Sequence, residues 1–301
     1  MSKDLESQAS FEGTTLGFLC RQFTRPKPLP ASTNLAGEVA IVTGSNVGLG
    51  FSASQQLLRL GLSHLIMAVR SQARGDAAAA QLRRGFPSAK VSVWIVDMES
   101  YDSVQTFAKR CGSLPRIDIV LLNAGLIKAP YTVTPATGYE MTLQVNYLST
   151  ALLTILLLPI LKAKKVHGSP RPPTLSIVGS DLMYENEVEA KGPVLPQFQR
   201  PRTFSQFPWY GKSKFLQTFF VSKLAEFVSP EDVLVNMANP GMTGGTDFFR
   251  GYSAIMLKLI AIGQWILARR VDVAATTYLD AVLAQGVRSH GSFTGDWTIK
   301  P

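Results

Sequence analysis

The sequence predicts an α/β fold, a doubly wound parallel sheet in a single domain, on three observations. From residue 38 onward, short apolar runs of strand length alternate with longer segments of helical period. Those short runs are almost continuously apolar, the pattern of strands covered on both faces by helices. A glycine-rich turn joins the first run to the first helix, at the end of an open sheet where ligands bind. With 301 residues, 46% hydrophobic and 17% charged, the chain has apolar material for one large core and too little charge to stay disordered.

The elements follow in order. The first 36 residues are polar and contain the run Arg25-Pro26-Lys27-Pro28-Leu29-Pro30 without a sustained period. They read as an extended arm, 1–36, lying on or beside a body at 37–301. Val39-Ala40-Ile41-Val42-Thr43 opens the sheet, and further strands are predicted at 64–69, 91–96, 117–122, 174–178 and 233–237. Helices are predicted at 48–60, 73–85, 100–111, 138–165, 209–227 and 273–284. Two regions break the alternation. Residues 181–208 hold Pro193, Pro196, Pro201 and Pro208 among charges and aromatics and read as a loop. Residues 241–270 read as a Gly-rich turn followed by an apolar helix. Both belong outside the carboxyl ends of strands, so both are candidate substrate loops.

Composition excludes several function classes. The formal charge of +9 comes from 30 Lys+Arg against 21 Asp+Glu, spread in small groups such as Arg83-Arg84 and Lys162 to Lys165 at predicted helix ends. No zinc-finger, RNP or basic-zipper pattern accompanies them, so no nucleic-acid partner is expected. Cys20 and Cys111 match neither a disulfide framework nor a zinc spacing, and His64, His167 and His290 stand singly, so no metal is expected and a reducing, cytoplasmic setting is. No uninterrupted apolar run approaches the roughly 20 residues of a membrane span. Asp4 and Glu6 argue against a secretory signal. Membrane contact is at most peripheral, through the apolar segment 255–267.

Three groups of residues carry chemistry. Thr43-Gly44-Ser45-Asn46-Val47-Gly48-Leu49-Gly50 runs from strand into helix. Its glycines allow a tight turn and close approach of a pyrophosphate, while the helix N-terminus offers N–H donors and positive potential. At the end of the second strand, Met67-Ala68-Val69-Arg70 carries no carboxylate for a ribose 2′-hydroxyl. The Arg70 guanidinium instead fits a 2′-phosphate, which favours NADP(H) over NAD(H). Tyr210 and Lys214 lie four residues apart on one face of a helix, where an ammonium beside a phenol lowers the tyrosine pKa toward working pH. Ser180, at the end of a buried strand, is placed to hold a substrate carbonyl oxygen.

Together these segments resemble the short-chain dehydrogenase/reductase superfamily over about residues 36–297. The TGxxxGxG turn matches Thr43 to Gly50, the NAG turn Asn123-Ala124-Gly125, the asparagine Asn146, the serine Ser180, the YxxxK pair Tyr210 and Lys214, and the PG turn Pro240-Gly241. Asp97 matches the acid used near the adenine ring. Residues 42–50 and Ala68-Val69-Arg70 are similar to retinol-dehydrogenase-like members, including fungal enzymes of natural-product pathways.

The resemblance implies a Rossmann fold and hydride transfer between nicotinamide C4 and a carbonyl carbon. Tyr210 exchanges the proton, Ser180 fixes the oxygen, Lys214 lowers the tyrosine pKa and holds the ribose, and Asn146 anchors a water relaying protons to Lys214. Two features depart from the pattern. Thirty residues separate Ser180 from Tyr210, against about a dozen in the superfamily. The threonine facing the carboxamide would fall near Gly245, where Thr243 and Thr246 are available.

The expected function is an NADPH-dependent reductase of a ketone or aldehyde in a hydrophobic, polyketide-like secondary metabolite, or the reverse alcohol oxidation. Its pocket would be lined by Phe204, Phe207, Trp209, Phe248, Phe249 and the apolar helix 255–267. A non-redox dehydration or cyclisation, or an NADPH-binding regulatory protein, are the alternatives. The helix 138–165 resembles the family's dimer-forming helix, which makes a homodimer a candidate.

Overall fold

The computed structural model describes residues 2–244 and 267–301. Its framework is one eight-stranded sheet in the order β3-β2-β1-β4-β5-β6-β7-β8. The strands are β1 (Val39–Thr43), β2 (His64–Val69), β3 (Lys90–Ile95), β4 (Ile119–Leu122), β5 (Thr174–Val178), β6 (Leu234–Asn239), β7 (Phe293–Gly295) and β8 (Thr298–Lys300). All neighbours are parallel except β8, which runs antiparallel to β7. Six strands fall where the apolar runs place them. The short C-terminal hairpin β7–β8 was not expected, because three residues of Phe-Thr-Gly are too few to show a period.

Helices cover both faces. They are α3 (Gly48–Arg59), α4 (Gln72–Gly85), α5 (Tyr101–Cys111), α7 (Thr150–Ala163), α8 (Gln206–Leu224) and α9 (Val271–Leu283), with short α1 (Ala9–Glu12), α2 (Thr15–Gln22) and α6 (Met141–Leu143). Local chemistry sets the ends. Ser71 and Ser100 cap α4 and α5 by accepting from Arg74 N and Ser103 N, and Arg83-Arg84 and Lys109-Arg110 fill the last turns, where cations favour the helix dipole. Alternate residues of β1 serve different cores. Val39 and Ile41 pack with Phe107, Leu153, Leu157 and Val221, whereas Ala40 and Val42 pack with Leu57, Leu82, Tyr278 and Val282.

Four expectations need correction. The N-terminal segment is not an extended arm throughout: a 3-10 stretch Ser2–Gln8 leads into α1 and α2, and from residue 23 to 36, the proline-containing stretch included, there is neither helix nor strand. Its helices bury Glu12, Arg21 and Gln22, so the inward face is polar and shows no apolar period. The predicted helix 138–165 is two α-helices joined by a π-helical turn, Gln144–Ser149. The loop 181–208 contains 3-10 turns at Asp181–Glu185, Leu195–Gln199 and Pro201–Thr203, and its last residues already belong to α8.

The fourth concerns length and apolarity. Met141–Ala163, with a mean hydropathy of 1.6, is long and apolar enough to cross a membrane, although uninterrupted runs alone did not show it. Half of that stretch is buried against the body, as in a core helix. The segment 255–267 and residues Gly245, Thr246, Phe248 and Phe249 lie outside the described residues, apart from Leu267.

Candidate active site

The site forms at the carboxyl ends of β1, β4 and β5. Gly44 and Gly48 take φ of +64° and +58°, a region that only glycine enters without strain. Space forbids side chains as well: a Cβ on Gly50 would sit 2.5 Å from Asn123 Nδ2 and 2.6 Å from Gly44 O. Asn123 ties the turn down by donating to Thr43 O (2.9 Å) and Gly44 O (3.2 Å), and Ala124 N donates to Thr43 Oγ1 (2.9 Å). From α9, the buried Tyr278 hydroxyl donates to Asn123 Oδ1 at 3.2 Å. Sequence reasoning missed Tyr278, since its helix carries only an apolar signal.

The turn suits a phosphate group. Val47 caps α3 without a side-chain bond, so the first backbone N–H groups of the helix are not capped by it. Among the described residues, Ser45 Oγ is buried without a hydrogen-bond partner, and nothing lies within 4 Å of a Cβ placed on Gly48. These are the features of an anion cradle at a helix N-terminus. At the end of β2, Arg70 is largely exposed and pairs with Glu99 Oε1 at 2.5 Å. Asp97 Oδ1 accepts from Glu99 N at 3.0 Å, so Asp97 shapes the loop that carries the partner of Arg70.

The four predicted catalytic side chains come together. Asn146 sits in the π-helical turn, fully buried, with Oδ1 accepting from Leu126 N (2.9 Å) and Nδ2 donating to Leu126 O (2.9 Å) and Ser213 Oγ (3.2 Å). Its carbonyl accepts from the Gln217 amide, a contact that no motif signalled. Gly125 lets Asn146 come close, because a Cβ there would lie 3.3 Å from Asn146 Oδ1. Lys214 donates to Val178 O at 2.7 Å, at the end of β5. Ser180 follows two residues later, accepts from Leu182 N at 3.3 Å and is hydrogen-bonded to Tyr210.

Electrostatics correct one expectation. Burial pushes the Tyr210 phenol above its usual value, further than the Ser180 hydrogen bond lowers it, and Asp181 adds to the rise. Burial also lowers Lys214 to about 7. The expected lowering of the tyrosine by the ammonium is therefore absent, because desolvation penalises both charged forms together.

Beyond this group, Gly241 turns the chain after β6 with φ +70°, and Thr243 Oγ1 donates to Gly241 O at 3.1 Å. The expected pocket aromatics divide. Trp209 is buried in a small core with Phe198 and Leu143, its ring 5.1 Å from Phe204 and 5.7 Å from Tyr131. Trp209 thus serves packing, whereas Phe207 is partly exposed.

Comparison with known proteins agrees with this architecture. The family model for short chain dehydrogenases matches residues 38–169. A short chain dehydrogenase of Hypocrea virens is 78% identical over 301 residues, covering 100% of this chain and 88% of that protein. One from Penicillium oxalicum is 46% identical over 313 aligned positions, covering 100% of both. Among solved structures, the NADPH-dependent 3-quinuclidinone reductase of Rhodotorula rubra aligns with a TM-score of 0.63 at 22% identity, covering 90% of this chain and 96% of that one.

Proposed function

The chain belongs to the short-chain dehydrogenase/reductase family, and from that premise we propose that it is an NADPH-dependent reductase of a ketone or aldehyde in a hydrophobic, polyketide-like metabolite, able to run in reverse as an alcohol dehydrogenase. The observation that carries this reading is the hydrogen-bonded Ser180–Tyr210 pair with Lys214 Nζ 5.7 Å from the centre of the Tyr210 ring. Residues 43–50, with Asn123, Ala124 and Gly125 beside them, would hold the dinucleotide, and Arg70 its 2′-phosphate. The cofactor would supply the hydride. The similarity to an NADPH-dependent reductase and the lack of a carboxylate at residue 70 support NADP(H).

This chain's residues handle the oxygen and the proton. Ser180 Oγ positions the carbonyl oxygen, and Tyr210 donates a proton to it as the carbon is reduced. Burial keeps Tyr210 protonated at neutral pH, the form that the reductive direction needs. Lys214, with its pKa near 7, takes up and returns protons at the same pH, and Asn146 braces the Leu126 backbone and the Ser213 hydroxyl next to it. Pro240, Gly241 and Thr243 would border the nicotinamide end. The fungal source of the similar short chain dehydrogenases supports a secondary-metabolite substrate. The test is titration with NADPH and NADH, followed by absorbance loss at saturating cofactor against apolar ketones and quinones. Selective NADPH binding with turnover is expected. Full turnover by a folded Tyr210→Phe protein would overturn the proton-transfer role.

A further inference from the structure

Polar side chains of the N-terminal segment reach the candidate site, and the mechanism above does not use them. Gln22, 6% exposed, turns its amide onto one residue of the turn that follows β6. Its Nε2 donates to Met242 O at 2.7 Å and its Oε1 accepts from Met242 N at 3.1 Å. One side chain thus satisfies both backbone groups of Met242, as a neighbouring strand would. The approach is close, because a Cβ on Gly241 would lie 3.0 Å from Gln22 Oε1 and 3.0 Å from Arg269 Nη1.

Arg269 holds the same turn from the other side. Its backbone N donates to Met242 O (2.9 Å) and its Nη1 to Pro240 O (3.1 Å). Its Nη2 donates to Arg21 O at 2.5 Å and to Asp296 Oδ1 at 2.6 Å. Arg21 in turn bonds Glu12 Oε2 at 2.5 Å and lies 3.6 Å from Asp181 Oδ2, the residue after Ser180. Lys300 completes the group by pairing with Glu12 Oε1 at 3.0 Å and Asp296 Oδ2 at 3.2 Å.

Three cations and three carboxylates are therefore packed together with little access to water. Burying such charges adds little net stability, since desolvation offsets attraction, but it penalises every arrangement in which one charge loses its partner. The group selects a geometry, and that geometry joins α1 and α2 to the 240–243 turn and to the backbone that carries Ser180.

We propose that Gln22 and Arg21 are positioning residues of the cofactor site: Gln22 sets the 240–243 turn, and Arg21 sets the strand end that carries Ser180. This rests on the NADP(H) reading given above. Cofactor affinity then depends on a segment that lies outside the dinucleotide motifs.

The test uses full-length protein and NADP+ binding by intrinsic fluorescence. Gln22→Met keeps the volume and removes both hydrogen bonds, so the dissociation constant should rise on the order of tenfold. Amide exchange at Met242 and Thr243 should accelerate while β1 to β5 stay protected. Arg116→Met is the control, because it breaks a part-buried ion pair, with Asp118 beside the start of β4, that touches neither the buried charge group nor the turn. It should lower the melting temperature and leave affinity within about twofold of wild type. Gln22→Asn, one methylene shorter, replaces Gln22→Met if that variant does not fold. Wild-type affinity in the Gln22 variant, or equal losses in both variants in step with melting temperature, would overturn the proposal and leave the segment a purely structural brace. A wild-type protein that itself fails to bind NADP+ would overturn the parent reading, and does so before any substitution is made.

Discussion

At the scale of single residues, identity was legible and charge state was not. Tyr210 and Lys214 could be picked from spacing, because a helix puts residues four apart on one face, and Ser180 from its place at a strand end, whereas Asn146 was marked only by the resemblance to the family. The ionisation of Lys214 depends on how much water reaches it, which spacing does not encode. Its pKa falls from 10.5 to about 7 on folding, so between those values the unfolded chain binds more protons than the folded one. Unfolding free energy therefore gains from Lys214 as pH rises from about 7 toward 10, and the full cost of its charge is borne below 7. Urea midpoints of wild type minus those of Lys214→Met should climb across pH 7 to 9.5, and a flat difference would contradict the burial argument. Arg70 was equally readable as a phosphate partner, whereas its pairing with Glu99 was not, since 29 residues separate them. Arg70→Ala should weaken NADPH on the order of tenfold and leave NADH almost unchanged, as one charge-assisted contact is lost. Glu99→Gln, which frees the guanidinium, should shift NADPH affinity in the opposite direction. Calorimetric titration of both cofactors measures each effect.

At the scale of elements, the strands were legible because buried parallel strands are apolar throughout, and the main helices because they carry a 3.6-residue period. What a period cannot show is one extra residue in a turn. Residues 138–165 read as one helix, yet the stretch Gln144–Ser149 winds as a π-helix around Asn146. The partners that accept this irregularity come from elsewhere: Gln217 bonds the Asn146 carbonyl from α8, Ser213 bonds its amide, and Ser149 Oγ donates to Met98 O at 2.5 Å. Such turns gather at functional sites, where a displaced backbone group is worth its cost. Gln217→Leu keeps the bulk inside α8 and removes the bond to the turn. Turnover should fall about tenfold while the NADPH dissociation constant holds within about threefold, because Gln217 touches the proton-handling end of the site and not the glycine turn. Steady-state kinetics beside a binding titration separates the two, and a pure affinity loss would place Gln217 in a different role. The 181–208 loop was legible only as a departure, since its 3-10 turns depend on packing with α8.

At the scale of the molecule, the least legible part was the N-terminal segment. Its buried face is Glu12, Arg21 and Gln22, and the residues that match them lie at positions 181, 242, 269 and 300, so no local pattern could show that this segment packs. The opposite problem holds on the outside, where large apolar side chains stay exposed among the described residues. Ile155 of α7 and Phe219 of α8 are 52% and 59% exposed, Phe227 beyond α8 is 77% exposed, and Phe215 stacks edge-on to Phe219 at 4.7 Å. A formal charge of +9 opposes unspecific clustering, so such side chains on two helices that cover one core favour one defined contact over aggregation. The expected state is a homodimer that pairs α7 and α8 with their copies, because a two-fold contact lets the same apolar face cover itself. Phe219→Lys places a like charge on both sides of that contact and removes two aromatic rings at once. It should convert a dimer to a monomer in sedimentation velocity at micromolar protein while far-UV dichroism stays unchanged, since the residue lies outside the core. NADP+ affinity should also stay unchanged, because the glycine turn and Arg70 belong to elements that this face does not support. A wild-type protein that sediments as a monomer would leave these aromatics to another partner and remove the dimer from the account.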